Sequence, residues 1–96
     1  MPLFVLIGRD GPGAPELRRR HRPAHLERLR PLARAGGVRF AGPLLDAGAP
    51  VGSVIVFEAA NLSTARALAA GDPYVVHGVF ASHEVHETRD VLPELA

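Results

Sequence analysis

Ninety-six residues suffice for one small domain, and with 47% apolar but only 5% aromatic residues its core must come from Leu, Val, Ile, Ala and four Phe. The absence of cysteine excludes disulfides, thiolate chemistry and thiolate zinc sites, and 11 arginines against 10 carboxylates leave a net charge of +1 that offers nucleic acid no global attraction. No apolar run reaches transmembrane length, and the chain enters a strand-like segment without a basic region and cleavage site, so a cytoplasmic protein with no membrane partner is expected.

Leu3-Phe4-Val5-Leu6-Ile7 is long enough for a strand, too short for a helix and apolar on both faces, which predicts a central strand. Gly8-Arg9-Asp10-Gly11-Pro12-Gly13 ends it in a turn or loop. Helical character follows from Ala14 to about Ala35. Pro23 predicts a kink or a short leading helix, Pro31 an irregular end, and Gly36-Gly37 the stop. At about 100° per residue, Leu26, Leu29 and Ala33 fall within an arc of roughly 60°, and His25 lies roughly 40° beyond Leu29. That position predicts a half-buried imidazole beside the core. Such a side chain caps a cavity or bonds a carbonyl as readily as it carries a proton near neutral pH.

Val38 to Leu44 is strand-like, with Val38 and Phe40 on one face and Gly42-Pro43 suggesting an edge or a bulge. Asp46 to Pro50 is expected to be a loop. Gly52 to Glu58 is a second strong strand, with Ser53, Ile55 and Phe57 on one face and Val54 and Val56 on the other. Asn61 is a suitable N-cap for a helix carrying Leu62, Ala65, Leu68 and Ala69, ended by Gly71. Asp72-Pro73-Tyr74 then starts a short helical turn, with Asp72 as cap and Pro73 at the first position. A more polar strand from Val79 to Glu87 has the character of an edge, and the tail with Pro93 is expected to fray.

Strand, helix, strand, strand, helix, strand is the order of an α+β ferredoxin-like βαββαβ sandwich, with both helices on one face of a four-stranded antiparallel sheet. Its central strands would be the first and third, whose second faces are also apolar. Sheet-to-sheet pairing into a homodimeric α/β barrel would cover them.

Arg18, Arg22-Pro23-Ala24-His25-Leu26, Ala41-Gly42-Pro43-Leu44, Gly52-Ser53, Ala70 with Asp72-Pro73-Tyr74, and Gly78 occur in an order that resembles the YciI-like (YCII-related) proteins of the dimeric α/β-barrel group. The resemblance spans nearly the whole chain and implies a single YCII-related domain over residues 1–96. It implies a homodimer with a small cleft in each subunit, and a His–Asp pair that falls on His25 and Asp72. It also implies cofactor-independent lyase or isomerase chemistry on a small cyclic or aromatic metabolite.

In that reading His25 is the acid or base and Asp72 orients it. Ser53, or a backbone N–H beside Gly42, holds a developing oxyanion, while Arg18 and Arg22 steer an anionic substrate. Each residue has a plainer reading as well. Asp72 caps a helix, Ser53 starts a strand, and Arg18-Arg19-Arg20 form a solvated face. A non-catalytic ligand-binding or scaffold dimer of the same fold is therefore the alternative.

Neither a metal nor a cofactor is expected. His21 and His25 have metal-ligand spacing, but no Glu follows His21 and Pro23 lies between them. His83 and His86 fall on opposite strand faces. Gly8 to Gly13 lacks both the Lys-Ser/Thr ending and the dinucleotide-binding spacing of a phosphate loop, and no basic stripe interleaved with aromatics suggests nucleic acid.

Overall fold

The computed structural model describes residues 1–94. In chain order the elements are β1 (Leu3–Asp10), α1 (Ala14–Arg34), β2 (Val38–Asp46), β3 (Ala49–Glu58), α2 (Leu62–Ala70), α3 (Pro73–Val76) and β4 (Phe80–Thr88). The strands form one antiparallel sheet in the order β2-β3-β1-β4, which is the ferredoxin-like arrangement with the first and third strands central.

Strand alternation divides the sheet into two faces. Phe4 pairs with Phe57 and Leu6 with Ile55, and all four side chains are buried beneath Leu29 of α1 and Ala65 and Ala69 of α2. Val5, Ile7, Val54 and Val56 occupy the opposite face and stay half-buried, because no element among the described residues covers them.

The helix α1 is one element from Ala14 to Arg34 that contains Pro23 and Pro31, so no separate short helix precedes Pro23. Both prolines are exposed, so the carbonyls they leave without an N–H partner, those of Arg19 and Glu27, lie on the outward side of the helix, where water can satisfy them. A Gly37 N–H donating to Leu32 O at 2.8 Å closes the end.

Two further expectations are corrected. The register of β2 slips at Arg39, so Val38 stands opposite Phe57 on the helix side while Phe40 stands opposite Val56 on the open side. The segment from Asp46 to Pro50 is a tight hairpin rather than a loop. Asp46 pairs with Ala49, and both linking residues have positive φ, 49° at Ala47 and 82° at Gly48, as a two-residue hairpin turn requires.

The short α3 decides where the site lies. Asp72 caps it as expected, its Oδ1 accepting from Tyr74 N at 2.8 Å. Pro73 supplies the first position, and Tyr74 turns inward to 3% exposure. Phe80, the first residue of β4, meets Tyr74 edge-on, with ring centroids 5.8 Å apart. Its ring lies across Gly8 of β1, where a Cβ would come within 2.5 Å of the Phe80 ring carbons. Gly8 is thus the gap that lets a second small core form from Ala14, Tyr74, Val79 and Phe80.

Candidate active site

Arg18, Arg22 and His25 are four and three residues apart on α1, so they share one helical face. That face looks over the end of the sheet where β3 carries Ser53. The imidazole of His25 is more deeply placed than its helical angle predicts. The residue is only 8% exposed and shares the buried line of α1 with Leu29, four residues on, while Ala33 is exposed.

What draws the ring inward is Asp72. His25 Nδ1 and Asp72 Oδ1 are 2.8 Å apart, and the two side chains are 10% and 2% exposed. A carboxylate can only accept, so Nδ1–H donates and the ring is held in one tautomer, leaving Nε2 as the nitrogen without a partner among the described residues. The same Oδ1 caps α3, so the capping and orienting roles do not exclude one another. Tyr74 completes the mounting: its ring lies parallel to the imidazole at 4.0 Å, with an interplanar angle of 4°. Burial, its largest perturbation, pushes the Tyr74 hydroxyl above its ordinary value of 10.0, which keeps it a neutral phenol.

Arg18 is the buried member of the Arg18-Arg19-Arg20 run. Its Nε and Nη2 donate to the two carboxylate oxygens of Asp10 at 2.7 and 2.8 Å, and Nη2 also donates to Gly52 O at 2.8 Å and Ser53 Oγ at 3.0 Å. The Asp10 hydrogen bond raises the Arg18 pKa further, against the opposing effect of burial. Most of this guanidinium is engaged in tying α1 to β1 and β3, and Asp10 offsets its charge.

A cleft of about 400 Å³ opens above these groups, and Arg18, Arg22, His25, Gly42, Ser53 and Tyr74 all reach it. Asp72 does not line it and stands behind the imidazole. Five of the six residues singled out from the sequence therefore meet in the cleft, and the sixth is hydrogen-bonded to one of them. Arg22 is exposed at the mouth and makes no side-chain hydrogen bond among the described residues. The edge strand β2 brings Gly42 to the wall.

Two contributors were not foreseen as site residues. Asp10 ends β1 on the helix-facing side set by Leu6 and Gly8, so strand alternation alone marks it as directed toward α1. Tyr74 belongs to the Asp-Pro-Tyr stretch, but nothing local to that stretch shows which ring it will stack on. His21, four residues before His25, stacks instead on His77, with centroids 4.0 Å apart. Among the described residues no group of three or more His, Cys, Asp or Glu is arranged to hold a metal ion.

An antiparallel ferredoxin-like sheet with an oriented, partly desolvated histidine under an open cleft defines a class of small α+β proteins. Within that class, this chain belongs to the family of the YCII-related domain, whose model matches residues 2–89. It is 38% identical over 85 residues to protein YciI of Escherichia coli O6:H1, a match covering 81% of this chain and 87% of that one. An uncharacterized protein of Haemophilus influenzae is 35% identical over the same shares. Among solved structures it is similar to 5-chloro-2-hydroxyhydroquinone dehydrochlorinase from Burkholderia phenoliruptrix AC1100, in complex with 2,5-dihydroxybenzoquinone. The TM-score is 0.81 at 29% identity, covering 91% of this chain and 93% of that one.

Proposed function

We propose that this protein is a cofactor-independent enzyme that moves a proton on a small hydroxylated cyclic or aromatic compound, by lyase or isomerase chemistry. The observation that carries this reading is the His25 Nδ1–Asp72 Oδ1 hydrogen bond of 2.8 Å beneath the cleft, which leaves Nε2 as the reactive nitrogen. The similarity to a dehydrochlorinase that acts on a chlorinated hydroxyhydroquinone supports the substrate class.

In the proposed reaction His25 Nε2 takes a proton from a ring hydroxyl or an activated C–H, and Asp72 stabilises the imidazolium that forms. Negative charge then develops on a ring oxygen. The Ser53 hydroxyl already accepts from Arg18, so its own proton is free to be donated to that oxygen, and Arg22 supplies a positive charge at the mouth. Backbone groups beside Gly42 on the edge strand offer a further donor. Arg18 acts mainly by holding Ser53, since Asp10 answers its charge. A sheet-to-sheet homodimer belongs to the same proposal, because it covers the apolar face that carries Val5, Ile7, Val54 and Val56.

The test is turnover of a chlorinated hydroxyhydroquinone, whose loss of HCl gives the quinone with no external oxidant, followed anaerobically by chloride release and quinone absorbance, with the unchlorinated compound as the control that should yield neither. His25→Ala is expected to lower the rate by about 10²–10⁴-fold while the protein stays folded. Saturable binding of such compounds with no turnover, unchanged by His25→Ala, would replace the enzyme with a ligand-binding dimer.

A further inference from the structure

Three guanidinium groups, those of Arg18, Arg19 and Arg22, line the cleft over His25, and no carboxylate does so among the described residues. Two of the three are answered elsewhere. Arg18 meets both oxygens of Asp10, and Arg19 pairs with Glu16, three residues before it on α1. Arg22 is exposed at the mouth and forms no side-chain hydrogen bond or ion pair among the described residues. Its charge nevertheless reaches the floor of the cleft: burial raises the Tyr74 hydroxyl, and the charges of Arg18 and then Arg22 act against that rise.

The wall facing Arg22 carries no charge. Ala41, Gly42 and Pro43 of β2 and Pro50 of β3 build it, and neither proline has an N–H to donate. A second hollow shares Arg19, Arg22 and Leu26 with the cleft and continues outward along α1 to Glu27 and Arg30. An anionic chain extended that way meets the Glu27 carboxylate, so the favourable place for negative charge is the lip at Arg22, beside the ring site. We propose that the substrate's hydroxylated ring bears a carboxylate, which the Arg22 fork receives at the mouth while the ring lies over His25. One unanswered guanidinium matches one carboxylate in charge and in its two-oxygen geometry. The cleft, about 400 Å³, has room for a ring that carries such a substituent. Arg22 thereby selects the substrate and fixes its orientation. The inference rests on the proposed placing of the ring over His25 and deepens it, but it requires no particular reaction there.

Gentisate, a hydroquinone carboxylate, is the probe, and gentisamide is its uncharged counterpart of nearly the same shape. NMR titration at low ionic strength is expected to give saturable shifts at the Gly42 and Ser53 N–H groups, with gentisate bound about three- to tenfold more tightly than the amide. Arg22→Gln should abolish that preference, and Arg22→Lys should retain part of it, since the charge stays and the fork is lost. Salt at about 0.5 M should shrink the preference, because the lip is open to water. Arg30→Gln removes an equal charge from the same helix outside the cleft and should leave the preference in place. Both arginines are exposed, so these variants are expected to fold. Any of four results would overturn the inference: no saturable shift with gentisate, equal affinity for the amide, a preference that survives Arg22→Gln, or one lost as fully in Arg30→Gln. Turnover of a chlorinated hydroxyhydroquinone by a protein without this preference sinks the inference alone, whereas the preference without turnover sinks the reaction alone.

Discussion

Arg18 shows how a single side chain can hold a site without performing its chemistry. In a run of three arginines it looks like one more solvated charge, and Arg19 and Arg20 are indeed exposed. Its inward turn is decided by Asp10, which is fixed at the end of β1 by the register of the sheet and presents two oxygens to the guanidinium fork. With side chains only 13% and 10% exposed, the pair cannot lose one member cheaply. Arg18→Met is expected to cost about 2–3 kcal/mol in urea unfolding, because it strands the Asp10 carboxylate and frees Ser53. Loss of the Asp72 carboxylate acts on the reaction instead, because it removes the acceptor that holds the His25 ring in one tautomer. In Asp72→Asn the turnover of a chlorinated hydroxyhydroquinone should fall by about 10²-fold or more while the protein stays folded, and an unchanged rate would remove the dyad from the mechanism.

The junction of α1 with α3 is the element-level device on which the pair depends. Four residues of α3 are far too few to be a stable helix alone, so its position is set by the Asp72 cap, by the Tyr74–Phe80 packing and by the two parallel ring pairs it shares with α1. Because the Phe80 ring occupies the place of a Gly8 side chain, Gly8→Ala must push Phe80 and then Tyr74 aside. The expected cost is about 1–3 kcal/mol in thermal unfolding, together with a weakened His25–Asp72 contact. The other ring pair responds to acid. Partial desolvation first, then the charges of His77 and Arg20, hold His21 below its ordinary value of 6.5. A lowered folded-state pKa means that this contribution to stability is present above pH 6.5 and is lost as pH falls through the folded value. The Tm is therefore expected to drop between pH 7 and 5, and His21→Gln should flatten that part of the profile.

At the scale of the whole molecule, the sheet has more apolar surface than one chain can cover. Its outer face carries Val5, Ile7, Val54 and Val56 half-buried and Phe40 58% exposed, a contiguous patch where a monomer would place polar residues. The proposed face-to-face homodimer puts that patch inside. Sedimentation at low micromolar concentration should give twice the chain mass of 10.2 kDa, and Val54→Asp should give a monomer of lower Tm. A stable, folded monomer of the unaltered chain under those conditions would remove the dimer from the proposal.

The strands, the helices and their order were legible because apolar periodicity and caps are local: Asn61 and Asp72 cap the helices their side chains can reach, and the runs of β1 and β3 are apolar on both faces wherever they pack. His25 and Asp72 were legible as residues, through the family motif. Their meeting across 47 positions was not, since it depends on how α1 and α3 lie over one sheet end. The choice of a single helix through Pro23 and the slip at Arg39 escaped for the same reason. Whether a proline is tolerated depends on which side of the helix meets water, and which face receives Phe40 depends on the partner strand. Propensity and pattern belong to neighbours in sequence and set the elements, whereas the cleft, the Arg18–Asp10 fork and the His25–Asp72 pair belong to neighbours in space.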